Sequence, residues 1–308
     1  MTLQQFARIV EIRTKIISVS TFALATLYSV FTSGGFRPIL FFLMLVAVLC
    51  VDMGTTAFNS FYDFVRGVDN RKFNVESDKV LLHEGLPART ALRVSLALFA
   101  AAVALGLVIS YLTTWEVAVA GAISMLVGYL YNGSRHPISR TPFGELAAGG
   151  FLGSVLFLIT VYVLTGLLTV WAVLASIPST LLIGSVLTVN NTCDVEGDTA
   201  AGRRTLSILL GRSRGELLVY VLGSIAYTAV ALLSLLRIFP LLTVVPVLIA
   251  AGFSVQEYRR MHGRGYSHRT KGPSMGAISR VVIQYTFAVC AGLLIGVVGR
   301  YWLPGLLV

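Results

Sequence analysis

Charge is scarce in this sequence. Only 12% of its 308 residues are Asp, Glu, Lys or Arg, about half the share in a soluble globular domain. Together with 56% hydrophobic residues and a mean hydropathy of +0.82, this weighs against a water-soluble fold and for one integral membrane domain. Cysteine is sparse as well. Cys50, Cys193 and Cys290 form no C-x-x-C pair, and Cys50 and Cys290 sit in apolar runs where they pack as small hydrophobes. The four histidines lie in basic, glycine-containing loops without metal-ligand spacing, which argues against zinc. Nor is a secretory signal expected in residues 1–15, which read as polar and amphipathic, with no short apolar core or small-residue cleavage site.

What the chain has in abundance is long apolar runs. About 20 residues are needed to cross the hydrocarbon core, and nine stretches qualify: near 16–33, 39–61, 91–111, 115–132, 143–165, 168–190, 217–236, 239–255 and 279–299. The eighth is short and contains Pro246. An all-α bundle of nine transmembrane helices follows, occupying residues 1–308 as a single domain. If the N-terminus is cytoplasmic, all of the 24 Lys and Arg except Arg37, Arg237 and Arg300 fall on the cytoplasmic side, as the positive-inside rule requires. The net charge of +10 is therefore assigned to topology, not to a nucleic-acid partner. The basic stretch from Arg259 to Lys271 is read the same way, or as a contact to anionic lipid.

Two of these helices end in an unusual manner. The second runs into Asn59-Ser60-Phe61-Tyr62-Asp63-Phe64-Val65-Arg66-Gly67-Val68-Asp69, and the sixth into Asn190-Asn191-Thr192-Cys193-Asp194-Val195-Glu196-Gly197-Asp198. Residues four apart share a helix face, so Asn59 stacks with Asp63, and Asn190 with Asp194 and Asp198. Gly67 allows the chain to turn Asp69 back toward the same place. The repeated N-x-x-x-D suggests an internal duplication, with halves at about 1–135 and 136–308. Eight of the fourteen acidic residues (Asp63, Asp69, Glu76, Asp78, Glu84, Asp194, Glu196 and Asp198) fall in the two segments that carry these motifs. Carboxylates at a membrane are rare and mark functional sites. Paired clusters of hard oxygen donors suit Mg²⁺ shared with substrate phosphates, and Lys79, Arg203 and Arg204 are placed to meet the same phosphates. A diphosphate so neutralised becomes a good leaving group. If it is carried on an isoprenoid chain, an apolar bore is the container the chain needs.

These two motifs resemble the aspartate-rich motifs of the UbiA superfamily of intramembrane prenyltransferases. The Gly67-Val68-Asp69 variant, the double Asn190-Asn191 and the ending Gly202-Arg203-Arg204-Thr205-Leu206 are most similar to the branch that prenylates 1,4-dihydroxy-2-naphthoate in menaquinone synthesis (MenA). Tyr131-Asn132-Gly133 and Thr141-Pro142-Phe143-Gly144-Glu145-Leu146 resemble that branch as well, and the likeness covers about residues 10–300. The resemblance implies a nine-helix bundle in a bacterial inner membrane, with its site facing the cytoplasm. It implies that Asn59, Asp63, Asp69, Asn190, Asp194 and Asp198 hold Mg²⁺, with Asp63 and Asp194 essential to transfer. Lys79, Arg203 and Arg204 would contact the diphosphate of a polyprenyl donor. Two positions depart from the branch pattern: Ser60 stands where Asp is frequent, and Cys193 where Arg is usual, which bears on the acceptor.

Three further expectations concern the chamber. Asp52 lies seven residues before Asn59 and roughly 10 Å deeper along the helix. It is expected to face the chamber as a catalytic residue that contacts the acceptor's hydroxyl or takes its proton, or else to bond locally to Thr55 or Thr56. Tyr62, Tyr129 and Tyr131 are candidates to shield an allylic cation. The acceptor must be an electron-rich ring, for which 1,4-dihydroxy-2-naphthoate is the first choice. A 4-hydroxybenzoate-like ring or a glycerol phosphate lipid is the alternative. A secondary transporter would also carry repeated halves, but its charges would lie at midplane.

Overall fold

The computed structural model describes residues 1–69, 71 and 79–302, and these are all helix and connecting turns. Lys72, Glu76 and Asp78, and the side chain of Arg300, lie outside the described residues. A short helix α1 (Leu3–Ile9), closed by a capping box of Thr2 and Gln5, leads through a 3-10 turn (Ile12–Lys15) into α2 (Ile16–Ser33). Gly34 ends α2 at φ 71°, and Pro38 opens α3 (Pro38–Val65) at its first turn, where no amide partner is lost. A short α4 (Val80–His83) precedes α5 (Ala88–Leu112) and α6 (Trp115–Asn132). The next span starts as α7 (Gly144–Gly149), passes through a π-helical stretch (Gly150–Val155) and finishes as α8 (Leu156–Thr165). Thr169 then caps α9 (Val170–Cys193), which is followed by short α10 (Val195–Ala200) and α11 (Leu206–Leu210). Three long helices complete the chain: α12 (Arg212–Leu235), α13 (Val244–Arg264) and α14 (Lys271–Trp302).

Among the described residues, eight helical stretches are long and apolar enough to cross a membrane. The stretch expected near 115–132 is present as α6, an 18-residue helix outside that set, with Glu116 in its first turn and Asn132 at its end. The last two expected stretches prove longer, the short one near 239–255 and the one near 279–299. Pro246 falls in the first turn of α13, where it breaks no helical bond, and α14 starts at Lys271, not near 279. The basic stretch from Arg259 to Lys271 thus runs from the last turns of α13 through the turn at 265–270 to the first residue of α14, and these two helices pack on each other.

α3 packs on α5, α9 on α12, and α2 on α8 and α14. One large cluster of buried residues joins α2, α8, α9, α12, α13 and α14, among them Tyr28, Phe157, Phe239 and Tyr285. A second, around Phe22, Met44, Ile109 and Leu164, joins α2, α3, α5 and α8. α7 and its π-helical extension press closely on α9 through glycine. A Cβ at Gly149 or Gly153 would stand 2.5 Å from the Thr180 backbone, so only glycine permits this approach. The packing brings the C-terminal ends of α3, α6 and α9 and the N-terminal ends of α2 and α14 around one cavity.

Candidate active site

That cavity encloses about 1220 Å³. Its wall on α3 is a stripe at three- and four-residue spacing: Met44, Val48, Asp52, Thr56, Asn59 and Asp63. α9 supplies Ile183, Leu187 and Asn190, Asp194 follows as its C-cap, and α6 supplies Gly128, Tyr131 and Asn132. Polarity is therefore graded along the bore. Apolar side chains line the depths, and carboxylates, amides and cations gather at the mouth.

At the mouth the two motifs face each other. Asp63 Oδ1 accepts from Asn132 Nδ2 at 3.0 Å and from Arg203 Nη2 at 3.2 Å. Arg203 Nη1 donates at 3.1 Å to Asp198 Oδ1, so one guanidinium spans the gap between them. Gly67 takes φ +66°, and the amides of Val68 and Asp69 both donate to the Asp63 carbonyl. This turn carries Asp69 to the cavity wall, where Lys79 Nζ stands 3.0 Å from its Oδ1. Asp194 Oδ2 accepts from Lys271 Nζ at 2.6 Å. Burial lowers the Lys79 pKa, but Asp69, Glu11 and Asp63 outweigh it and hold Lys79 above the usual lysine range. Burial pushes the Asp198 carboxyl up to about 6, against the pull of Arg203 and Lys271 and with the added repulsion of Asp194 and Asp63.

Asn59, Asp63, Asp69, Asn190, Asp194 and Asp198 all line the cavity, as do Lys79 and Arg203. Arg204 does not: it is exposed, and its backbone amide bonds to the Arg140 carbonyl. The structure adds residues that sequence reasoning had put down to topology. Lys271 belongs to the basic stretch, and Lys15 to the positive-inside count. Glu11 reaches the mouth because the chain turns there at φ 46°, a left-handed conformation that costs a non-glycine residue ~1–2 kcal/mol. Asn132, in the Tyr131-Asn132-Gly133 motif, joins them. Ser139 Oγ donates to Asn132 Oδ1 at 2.8 Å, which turns the amide's Nδ2 toward Asp63. Arg66 has a mechanical part, donating to the carbonyls of Asn132, Gly133 and Ser134 at the end of α6.

Of the three tyrosines, Tyr131 lines the cavity; Tyr62 and Tyr129 pack on Phe58 outside it. Cys193 is fully buried in the main core cluster and does not line the cavity. In this chain its position therefore offers no contact to a substrate. Ser60 donates to the Ile9 carbonyl and steadies the N-terminal segment. Asp52 bonds neither Thr55 nor Thr56 through its carboxylate. Its Oδ1 meets Lys15 Nζ at 2.6 Å and its Oδ2 meets Ser18 Oγ at 2.5 Å.

Among the described residues, no three His, Cys, Asp or Glu side chains converge on one point as a ready metal site. The mouth nevertheless suits Mg²⁺. Its donors are hard carboxylate and amide oxygens, and Asn59 Oδ1 and Asp198 Oδ2 are both buried without a hydrogen-bond partner. Mg²⁺ takes one or two protein carboxylates and completes its shell with water and phosphate oxygens, so three converging acids are not required.

Residues 18–271 match the UbiA prenyltransferase family. The chain is 36% identical over 189 residues to a 1,4-dihydroxy-2-naphthoate octaprenyltransferase of Bacillus subtilis, and 35% over 187 residues to one of Mycobacterium tuberculosis. These matches span 61% and 60% of this chain, and 60% and 62% of the two relatives. In fold it is similar to a UbiA homolog from Aeropyrum pernix K1, with a TM-score of 0.66 at 15% identity over 92% of this chain and 98% of that one. It is also similar to a UbiA homolog from Archaeoglobus fulgidus bound to DMAPP and Mg²⁺, with a TM-score of 0.61 at 18% identity over 93% and 99%. Motifs, bundle and matches agree, and the chain belongs to the UbiA prenyltransferase family.

Proposed function

We propose that this chain transfers a polyprenyl group from a polyprenyl diphosphate to an aromatic acceptor, with 1,4-dihydroxy-2-naphthoate as that acceptor and demethylmenaquinone as the product. One observation carries the reading. Two acidic helix ends face each other across a mouth that holds three cations, and this mouth opens onto a cavity whose depths are apolar. A diphosphate fits the first environment and an isoprenoid chain fits the second. The two octaprenyltransferases supply the choice of acceptor, and Cys193, turned into the core, does not speak against it.

Lys79, Arg203 and Lys271 each hold a motif carboxylate in the absence of substrate. When the diphosphate enters, the same cations turn to its oxygens, and Asp69, Asp63, Asp198 and Asp194 are released to serve as oxygen ligands. Asn59, Asp63, Asp69, Asn190, Asp194 and Asp198 would hold Mg²⁺, which when bound neutralises the charge that develops on the departing diphosphate. The C–O bond of the donor breaks, the diphosphate stays at the mouth, and the allylic fragment remains in the bore. Tyr131, in the wall, would shield that allylic cation with its ring. Asp52 sits deeper and faces the acceptor. The ring carbon that bears the carboxylate forms the new bond, and CO₂ is lost. The mouth faces the cytoplasm of a bacterial cell, in keeping with the positive-inside distribution.

The test is product mass after incubating purified protein with Mg²⁺, a series of prenyl diphosphates and each acceptor separately. Demethylmenaquinone from 1,4-dihydroxy-2-naphthoate is the expected product. Product from 4-hydroxybenzoate alone, with the carboxylate retained, would overturn the acceptor while leaving the transfer. Failure to release diphosphate under any condition would overturn the transfer itself.

A further inference from the structure

A second polar station lies inside the bore, separate from the mouth. Lys15, at the start of α2, is only 4% exposed and lines the cavity. The other buried cations of the wall answer motif carboxylates; Lys15 answers Asp52, about two helical turns deeper than Asn59. Its ammonium donates to Asp52 Oδ1 at 2.6 Å and to Thr56 Oγ1 at 2.7 Å. The third N–H finds only the Asp52 carbonyl, at 3.5 Å. Asp52 accepts one bond on each oxygen, and a carboxylate has about four lone-pair sites. The station therefore has a donor and an acceptor to spare, side by side, in a wall otherwise becoming apolar.

We infer that Lys15 and Asp52 form the binding site for the ring acid's adjacent carboxylate and hydroxyl, and so select acceptors in which these two groups are ortho. This rests on the proposed transfer and names the acceptor class that the same cavity takes. The pair as a whole is neutral. It suits a group that brings one negative charge and one proton donor, and it suits a diphosphate poorly. In an ortho-hydroxy aryl acid the hydroxyl and the nearer carboxylate oxygen stand at hydrogen-bond distance, about 2.6 Å. That matches the separation of Lys15 Nζ from Asp52 Oδ1. The carboxylate takes the ammonium's third N–H and the hydroxyl donates to Asp52. An acid whose hydroxyl lies across the ring cannot meet both, and leaves one buried group of the pair without its new partner. Site groups left unpaired are the strongest source of discrimination between similar substrates.

Binding without donor or Mg²⁺ separates this inference from the transfer reaction. The probes are 1-hydroxy-2-naphthoate, with ortho groups, and 4-hydroxy-2-naphthoate, in which they are not adjacent, titrated calorimetrically into the detergent-purified full chain. The ortho isomer should bind roughly tenfold or more tightly than the other. Lys15→Met should erase that preference, and Lys15→Arg should keep part of it. A neutral pair, Lys15→Gln with Asp52→Asn, covers the case in which the single variant does not fold, and should bind both isomers equally weakly. In the transfer assay these variants should raise the KM for the acceptor and leave that for the donor unchanged. Equal binding of the two isomers by the unaltered protein, or a preference that survives Lys15→Met, overturns the inference. Absence of transfer with the binding preference intact would overturn the proposed function alone.

Discussion

Asp198→Asn should make the substrate-free protein more stable at neutral pH while ending its activity. The Asp198 carboxyl is 7% exposed, leaves one oxygen without a partner, and has its pKa pushed by burial from 3.8 to about 6. A raised carboxyl pKa means that the folded protein holds the proton more tightly than the unfolded chain. The benefit is present below the unfolded pKa of 3.8 and is lost as pH rises through about 6. A shift of about two units corresponds to ~3 kcal/mol of stability surrendered across that window. Asparagine keeps the shape and cannot ionise, so the variant should lack this slope. Thermal unfolding in detergent with EDTA, from pH 4.5 to 7.5, measures the difference. At pH 7 the Asn variant should melt several degrees above the unaltered protein, and the two should converge at the acid end. Mg²⁺ with inorganic diphosphate should raise the unaltered protein's Tm more than the variant's. An Asn variant that melts lower at pH 7, or one with the same pH slope, would refute the reasoning, because Asp198 would then be held by its Arg203 pair and not strained by burial.

Asp63→Asn and Asp194→Asn should each abolish prenyl transfer with membrane insertion intact, as measured by diphosphate release at saturating Mg²⁺; near-normal turnover in either would sink the two-cluster arrangement. Arg203→Gln should raise the donor KM at least tenfold, whereas Arg204→Gln, at an exposed position, should change it by less than about twofold; steady-state kinetics with varied donor decides between them. Lys271→Gln frees Asp194 from its 2.6 Å partner and should weaken binding of inorganic diphosphate, read by titration calorimetry. Gly153→Ala sets a methyl against the Thr180 backbone and should cost ~1–3 kcal/mol, seen as a lower Tm with an unchanged acceptor KM.

Much of this protein follows from local sequence. Apolar length and the paucity of charge settle that it lives in a membrane, since about 20 apolar residues per crossing is a matter of bilayer thickness. Four-residue spacing places Asn59 with Asp63, and Asn190 with Asp194, because helical periodicity is local. Gly67 could be read as the turn that returns Asp69, because only a left-handed residue reverses the chain so tightly. The length of α13 was harder to read, since a proline weakens a helix in its interior but not in its first turn.

Tertiary packing decided which of many similar cations belong to the site. In a membrane protein, Lys and Arg at cytoplasmic helix ends satisfy a topological rule wherever they sit, so composition cannot tell Lys15 and Lys271 from Arg204. Only the docking of α2 beside α3 brings Lys15 to Asp52, across 37 residues of sequence, and only the return of α14 past α9 brings Lys271 to Asp194, across 77. Packing likewise turned Cys193 into the core and Arg204 to the outside, though both adjoin motif residues that face the cavity. Periodicity sets which residues share a helix face; which way that face points depends on neighbours hundreds of atoms away along the chain, and these are assembled only in the fold.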